Sequence, residues 1–375
     1  MKSVETDIKT DTPRDLVMDI LRIVSCIMVI SLHVMAERIY DPWTEDRSVM
    51  IVFQCICQVA VPVFFMLSGA FMKDTGFKKT FRKIIKLFIL FIVFKLFFAL
   101  WDCYRANGFI APYLLNWDYG ILDPCTYKYH LWFIYEYITI LILAPVINSA
   151  VKAKKRTDLY LAVLFILYGI IKPLMTPVII APNVDANIFG KLLEGISIDF
   201  AIAPGYYCLG KAVHNLVEEN RSKLCSEKKN IKLAGIALIL WAAAVVINSC
   251  ITGGKFKETG QFDYYILDRA NPLICISAIL LFAAFSLISA GCREKREEKS
   301  HCVVKVLAPC TLMIYLIHPL FIDIITDLSG FTAGSFTPVL SVPLKALFVF
   351  LLSLCFSLIV GGITKLFGHT KTTRK

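Results

Sequence analysis

Apolar residues in this chain come in runs of about twenty, the length a helix needs to cross the hydrocarbon core of a bilayer. Such runs lie near 16–36, 48–72, 84–101, 130–149, 158–175, 197–216, 232–251, 271–290, 306–325 and 341–367. The pattern predicts an all-α integral membrane protein with about ten transmembrane helices. Transmembrane strands would instead need short segments of alternating polarity. The first run is too long for a signal-peptide core and lacks a small-residue cleavage site, so a retained first span is expected. No repeat, low-complexity segment or appended soluble domain stands out. Residues 1–375 therefore read as a single multi-pass membrane domain, with 1–15 as a polar tail.

Composition supports the membrane reading. The chain is 57% hydrophobic and only 18% charged, below the ~25% charged residues of an ordinary soluble protein. Its net charge of +11 is explained by where the basic residues fall, and no nucleic-acid partner is expected. Clusters at Lys73–Lys86, Lys152–Arg156, Arg221–Lys229 and Arg293–Lys299 follow alternate spans and, with the termini, hold most of the 40 Lys and Arg residues. Basic loops stay on the cytoplasmic side. The asymmetry therefore places both termini in the cytoplasm, as an even number of spans requires. The thirteen cysteines contain no paired C-x-x-C elements, so no metal site is expected. Cys103 and Cys125 share one outer loop, where a disulfide is open.

The outer connections differ from the basic ones. Residues 102–129 carry Tyr104, Tyr113, Trp117, Tyr119, Tyr127 and Tyr129 with Asp118 and Asp123, and residues 252–270 carry Phe262, Tyr264 and Tyr265 with Asp263 and Asp268. Aromatic faces beside carboxylates suit sugars, covering C–H surface and accepting hydroxyl hydrogen bonds. The same rings also suit an aromatic belt at the membrane interface.

Polar residues inside the spans are the candidate chemistry. The stretch MDILRIVSCIMVISLHVMAE (18–37) carries Asp19, Arg22 and His33. Each ionisable group at the bilayer centre costs on the order of 2.5–3.5 kcal/mol. Arg22 and His33 are three helical turns apart on nearly one azimuth, roughly 16 Å along the axis, and Asp19 is one turn from Arg22. VPVFFMLSGAFM (61–72) adds Ser68 and Gly69, HLWFIYEYITILILAPVI (130–147) adds His130, Trp132 and Glu136, and IYLIHPLFID (314–323) adds His318. Pro319 follows His318 and frees a backbone carbonyl at a kink. Taken singly, each has a structural reading: an ion pair, an interface histidine, or close packing at Ser-Gly. Histidines in three spans together with an arginine point to an anionic substrate or an ion path.

These motifs resemble the membrane-bound acyltransferase 3 family, which O-acylates cell-surface and other extracytoplasmic glycans. The resemblance covers nearly the whole chain. Its most specific element, an Arg and a His separated by ten residues in the first span, is matched by Arg22 and His33, with Asp19 in the leading MDILRI. Ser68 and Gly69, the HLWF entry with His130 and Trp132, and the YLIHP pattern with Tyr315, His318 and Pro319 match later motifs. One departure is Ala70, where many members carry Phe or Tyr.

The resemblance implies a bacterial plasma-membrane enzyme. It would move an acyl group, commonly acetyl, from cytoplasmic acyl-CoA to a hydroxyl of an extracytoplasmic glycan or lipid-linked sugar. No permanently bound cofactor is implied. In that reading His33 is the general base or an acyl carrier, and Arg22 binds the donor or stabilises an oxyanion. Asp19 holds Arg22, and Ser68, Gly69, His130, Trp132, Glu136 and His318 line the substrate path. A rival from another class is a transporter, exporting a polysaccharide precursor or moving a small solute by way of the intramembrane Asp, Arg and His.

Overall fold

The computed structural model describes residues 15–39, 47–73, 76–105, 129–179, 201–220, 227–260, 266–292, 302–329 and 338–369. Eleven α-helices run through these residues: α1 (Leu16–Ile39), α2 (Arg47–Cys57), α3 (Ala60–Phe71), α4 (Gly76–Arg105), α5 (Trp132–Ala153), α6 (Thr157–Ile179), α7 (Ile202–Glu219), α8 (Glu227–Thr259), α9 (Pro272–Cys292), α10 (Cys302–Ser329) and α11 (Pro338–His369). Eight helical stretches among them are long and apolar enough to cross a membrane. Cys125, the prospective partner of Cys103, lies outside the described residues, as do Asp118, Asp123, Phe262, Asp263, Tyr264 and Tyr265.

The described parts of the predicted runs fall on helices, with two adjustments. Run 48–72 is realised as α2 and α3, broken by a turn at Gln58 and Val59. Pro62 stands in the first turn of α3 and has no N–H to give the Gln58 carbonyl, so a continuous helix is interrupted there. The predicted runs 158–175 and 197–216 fall on α6 and α7, which are not among the eight. The apolar stretch described on α6 is short, Thr157–Gly169. Helix α7 carries Lys211, His214, Asn215, Glu218 and Glu219.

Burial sorts the helices into a centre and a rim. In their most apolar windows α1 and α10 are each 56% buried, against 28% for α4 and α11 and 22% for α8. The rim helices leave long apolar side chains outward, among them Phe77, Ile89 and Val93 on α4 and Ile239, Val246 and Ile247 on α8. In lipid such a surface is solvated by acyl chains. Helix α7 is the central post: Ile202, Ala203, Tyr206, Tyr207 and Cys208 are almost wholly buried, and it packs on α3, α5, α6 and α9.

Small residues make that post possible, as expected where helices associate by close packing rather than by expulsion of water. A Cβ added at Gly69 on α3 would overlap the Tyr207 carbonyl of α7, and one at Gly210 on α7 would overlap the Met66 backbone of α3. The two backbones therefore meet at a pair of reciprocal glycines. Polar side chains add the register. Tyr207 Oη donates to Asn148 Oδ1 on α5 (3.1 Å) and Asn215 Nδ2 to Asp158 Oδ2 on α6 (2.7 Å). On the far side, Trp101 Nε1 donates to Asp323 Oδ2 (2.9 Å) and Arg105 pairs with Asp327 (2.7 Å), tying α4 to α10.

Because the obstructing atoms are backbone, Gly69→Ala or Gly210→Ala must push α3 and α7 apart, at a cost of about 1–3 kcal/mol. The thermal midpoint of either variant, measured on purified protein in detergent, should fall below wild type. Gly235→Ala, where a Cβ meets nothing within 4 Å, should not lower it.

Candidate functional site

Helix α10 is interrupted chemically at Pro319, whose missing N–H leaves the carbonyl four residues earlier without its helical donor. That carbonyl belongs to Tyr315. His318 takes it up: Nδ1 lies 2.6 Å from Tyr315 O, and Nε2 lies 2.9 Å from Nδ1 of His33 on α1. A carbonyl only accepts, so the proton of neutral His318 sits on Nδ1. Its Nε2 is then the acceptor, and His33 donates through Nδ1–H. The His33 ring also hydrogen-bonds the Val29 carbonyl; with Nδ1–H as the donor, the basic nitrogen of a neutral His33 is Nε2. The backbone break in one helix thus sets the tautomer of a histidine in another.

His130 completes the group. It precedes α5 in a single turn of 3-10 helix, Tyr129–Leu131, and its ring centroid lies 6.1 Å from His33 and 5.3 Å from His318. The Tyr315 hydroxyl donates to the His130 carbonyl, so one tyrosine organises two histidines, one by its carbonyl and one by its side chain. Phe98 meets the His130 ring edge-on at 5.5 Å. His318 is fully buried behind the other two.

A cavity of about 230 Å³ opens in front of these rings. His33, His130 and Tyr315 form one wall, Gln54, Gln58 and Pro62 another, and Trp132, Asp268 and Arg269 a third; Phe133 also lines it. The turn that interrupts the second predicted span is what brings Gln58 here, where its Nε2 donates to the Leu267 carbonyl. That bond and a 2.5 Å bond from Tyr206 Oη to the Arg269 carbonyl clamp the segment before α9. Asp268 Oδ1 accepts from the Ala270 amide (2.7 Å) and Asn271 Oδ1 from the Leu273 amide (2.8 Å), completing the turn. Held in this way, the Arg269 guanidinium pairs with Glu136 and stacks 4.2 Å from the centre of the Trp132 ring. Gln54 Oε1 and Arg269 Nε are buried with no hydrogen-bond partner among the described residues.

The other predicted residues lie elsewhere. Arg22 does not line the cavity. It pairs with Asp19 (2.6 Å), as their spacing anticipates, and its charge acts on Tyr137, whose hydroxyl hydrogen-bonds with Ser68. Ser68 Oγ also donates to the Phe64 carbonyl one turn back (3.0 Å). Gly69 faces α7 and serves the packing described above. Between the two polar clusters stands an aromatic column. Phe133 stacks on Phe65 (5.1 Å, 11°) and on Tyr137 (5.9 Å, 10°), so it reaches from the cavity down to the Arg22 cluster.

Sequence reading passed over Gln54, Gln58, Arg269 and Lys95. Two amides and a lysine inside apolar runs were signals of the usual kind, since polar groups at membrane depth mark function or pairing. Lys95 is fully buried, with Nζ 5.8 Å from the Phe91 ring centre. Arg269 carried no such signal, because it stands in a polar turn where a charge is ordinary.

An oriented basic nitrogen, a guanidinium and unpartnered polar atoms in one small cavity can deprotonate a bound hydroxyl and stabilise developing negative charge. No curated protein and no solved structure matches the chain. A family model described as an acyltransferase domain does match, across residues 15–362, taking in every helix that builds the cavity and the Arg22 cluster. The chain belongs to the acyltransferase 3 family of multi-pass membrane acyltransferases.

Proposed function

We propose that the protein transfers an acyl group, acetyl as the simplest case, from acyl-CoA supplied on the cytoplasmic side to a hydroxyl of an extracytoplasmic glycan or lipid-linked sugar. The observation that carries this reading is the carbonyl–His318–His33 relay, which leaves a basic nitrogen at a cavity with two glutamines and an aspartate in its walls. The Trp132 ring and Asp268 beside it are the aromatic and carboxylate partners that a sugar uses.

The chemistry follows from the geometry. His33 Nε2 takes the hydroxyl proton as the oxygen attacks the thioester carbon, then returns it to the departing thiolate. His318 and the Tyr315 carbonyl keep the ring in the tautomer that this requires. On the positive-inside argument the N-terminal end of α1 faces the cytoplasm. Arg22 then sits on the donor's side of the aromatic column, with a permanent charge for a polar group of the donor. Asp19 orients that charge and shares the cost of burying it.

Two measurements test this reading. His33→Ala, at normal membrane abundance, should lower acyl transfer to the surface glycan by about 10²–10⁴-fold, read by mass spectrometry of the glycan; wild-type acylation would refute the proposal. Arg22→Lys keeps the charge and loses the planar fork. One charge-assisted hydrogen bond is worth about 1.5–3 kcal/mol, so the KM for acetyl-CoA should rise on the order of tenfold or more. Its kcat should change far less.

A further inference from the structure

Among the described residues, Arg22 and Arg269 stand near candidate chemistry, and Arg269 lines the described cavity with His33. Arg22 is held by Asp19 away from that cavity. Arg269 lines it, and the surrounding structure is arranged around holding its guanidinium still. The Gln58 amide and the Tyr206 hydroxyl bind the carbonyls of Leu267 and Arg269. Glu136 takes a terminal nitrogen, and the Trp132 ring lies against the guanidinium plane. Those contacts leave Nε buried with no partner among the described residues. The rest of the side chain stays about a quarter exposed and lines the cavity, where a developing negative charge can reach it.

We propose that Arg269 is a catalytic residue of the acyl transfer, its cavity-lining guanidinium receiving the carbonyl oxygen of the acyl group as that oxygen becomes an oxyanion. This assignment rests on the acyl-transfer reading above and moves the oxyanion role from Arg22 to Arg269. In the step, the acceptor hydroxyl oxygen bonds to the thioester carbon and its proton passes to His33 Nε2. The carbonyl π pair moves onto oxygen, against Arg269. Collapse re-forms the C=O bond and breaks the C–S bond, and the thiolate leaves with the proton from His33. The Arg269 guanidinium is positioned before the charge develops, which is the condition for strong transition-state stabilisation. Glu136 and Trp132 act through Arg269 as positioning residues.

The experiment compares two reactions in purified full-length protein and native membranes. One is hydrolysis of acetyl-CoA without added acceptor, followed by thiol release, and the other is acetylation of the surface glycan. Both pass through an oxyanion, whereas only the second needs the acceptor. Arg269→Gln should lower kcat of both in parallel by about 10²–10³-fold, the usual loss for one oxyanion donor, with the KM for acetyl-CoA unchanged. Arg269→Lys, which retains a cation for Glu136 and so guards against a folding defect, should lose at least about tenfold in both.

Hydrolysis at the wild-type rate in Arg269→Gln, with transfer alone reduced, would overturn the assignment and make Arg269 an acceptor-binding residue. So would wild-type kcat in Arg269→Lys. If His33→Ala is inactive while the Arg269 variants are fully active, only this assignment fails. If His33→Ala is itself active, the acyl-transfer reading fails with it.

Discussion

A backbone carbonyl at membrane depth has no water to turn to, and the Tyr315 carbonyl has lost its helical donor to Pro319. Much of the site depends on how that deficit is met. Leaving such a group unsatisfied costs several kcal/mol in hydrocarbon, and the His318 ring, one residue before the proline, supplies the donor at 2.6 Å. Doing so commits its proton to one nitrogen and its lone pair to the other. The lone pair faces His33, which must then present its own basic nitrogen toward the cavity. A local cost of the backbone is thereby converted into the protonation pattern of a cavity-lining histidine on another helix.

The helices around this relay divide the work. Helix α1 carries both Arg22 and His33, so a rigid rod fixes the separation of the two polar clusters. Helix α5 bridges them with Phe133 and Tyr137, one turn apart and stacked in parallel. Helix α7, buried through its N-terminal half, lets α3 approach through reciprocal glycines and lends Tyr206 to the turn that holds Arg269. The cavity wall at Gln54 and Gln58 lies where Pro62 interrupts the helix of the second span. Two prolines, in α3 and α10, therefore shape opposite walls by the same means: each removes a backbone donor and leaves the freed geometry to side chains.

The partly buried ion pairs at Arg22 and Arg269 show contrasting origins. Asp19 and Arg22 are three residues apart on one helix and meet whatever the rest of the chain does. Glu136 and Arg269 lie in separate parts of the chain and meet only because α5 and the turn before α9 are packed together. The first pair stands on the donor's side in the proposed reaction, and the second is at the reacting atoms. Breaking either by removing one partner would leave a charge stranded at low dielectric, which is far more costly than the pair is stabilising.

The amino-acid order alone determined the helices, because in lipid a helix of about twenty apolar residues is the only open-chain way to satisfy the backbone. It also determined the Asp19–Arg22 pair, the shared stripe of Arg22 and His33, and the freed carbonyl before Pro319, all of which follow from helical spacing. What it could not contain was which stripes face one another. That His33 meets His318 and His130, that Gly69 serves α7, and that an arginine in an ordinary polar turn reaches the histidine cavity were decided by packing between distant segments. The physical reason is that spacing along a helix sets azimuth and height within that helix, whereas the chemistry needs atoms from several helices within hydrogen-bond reach.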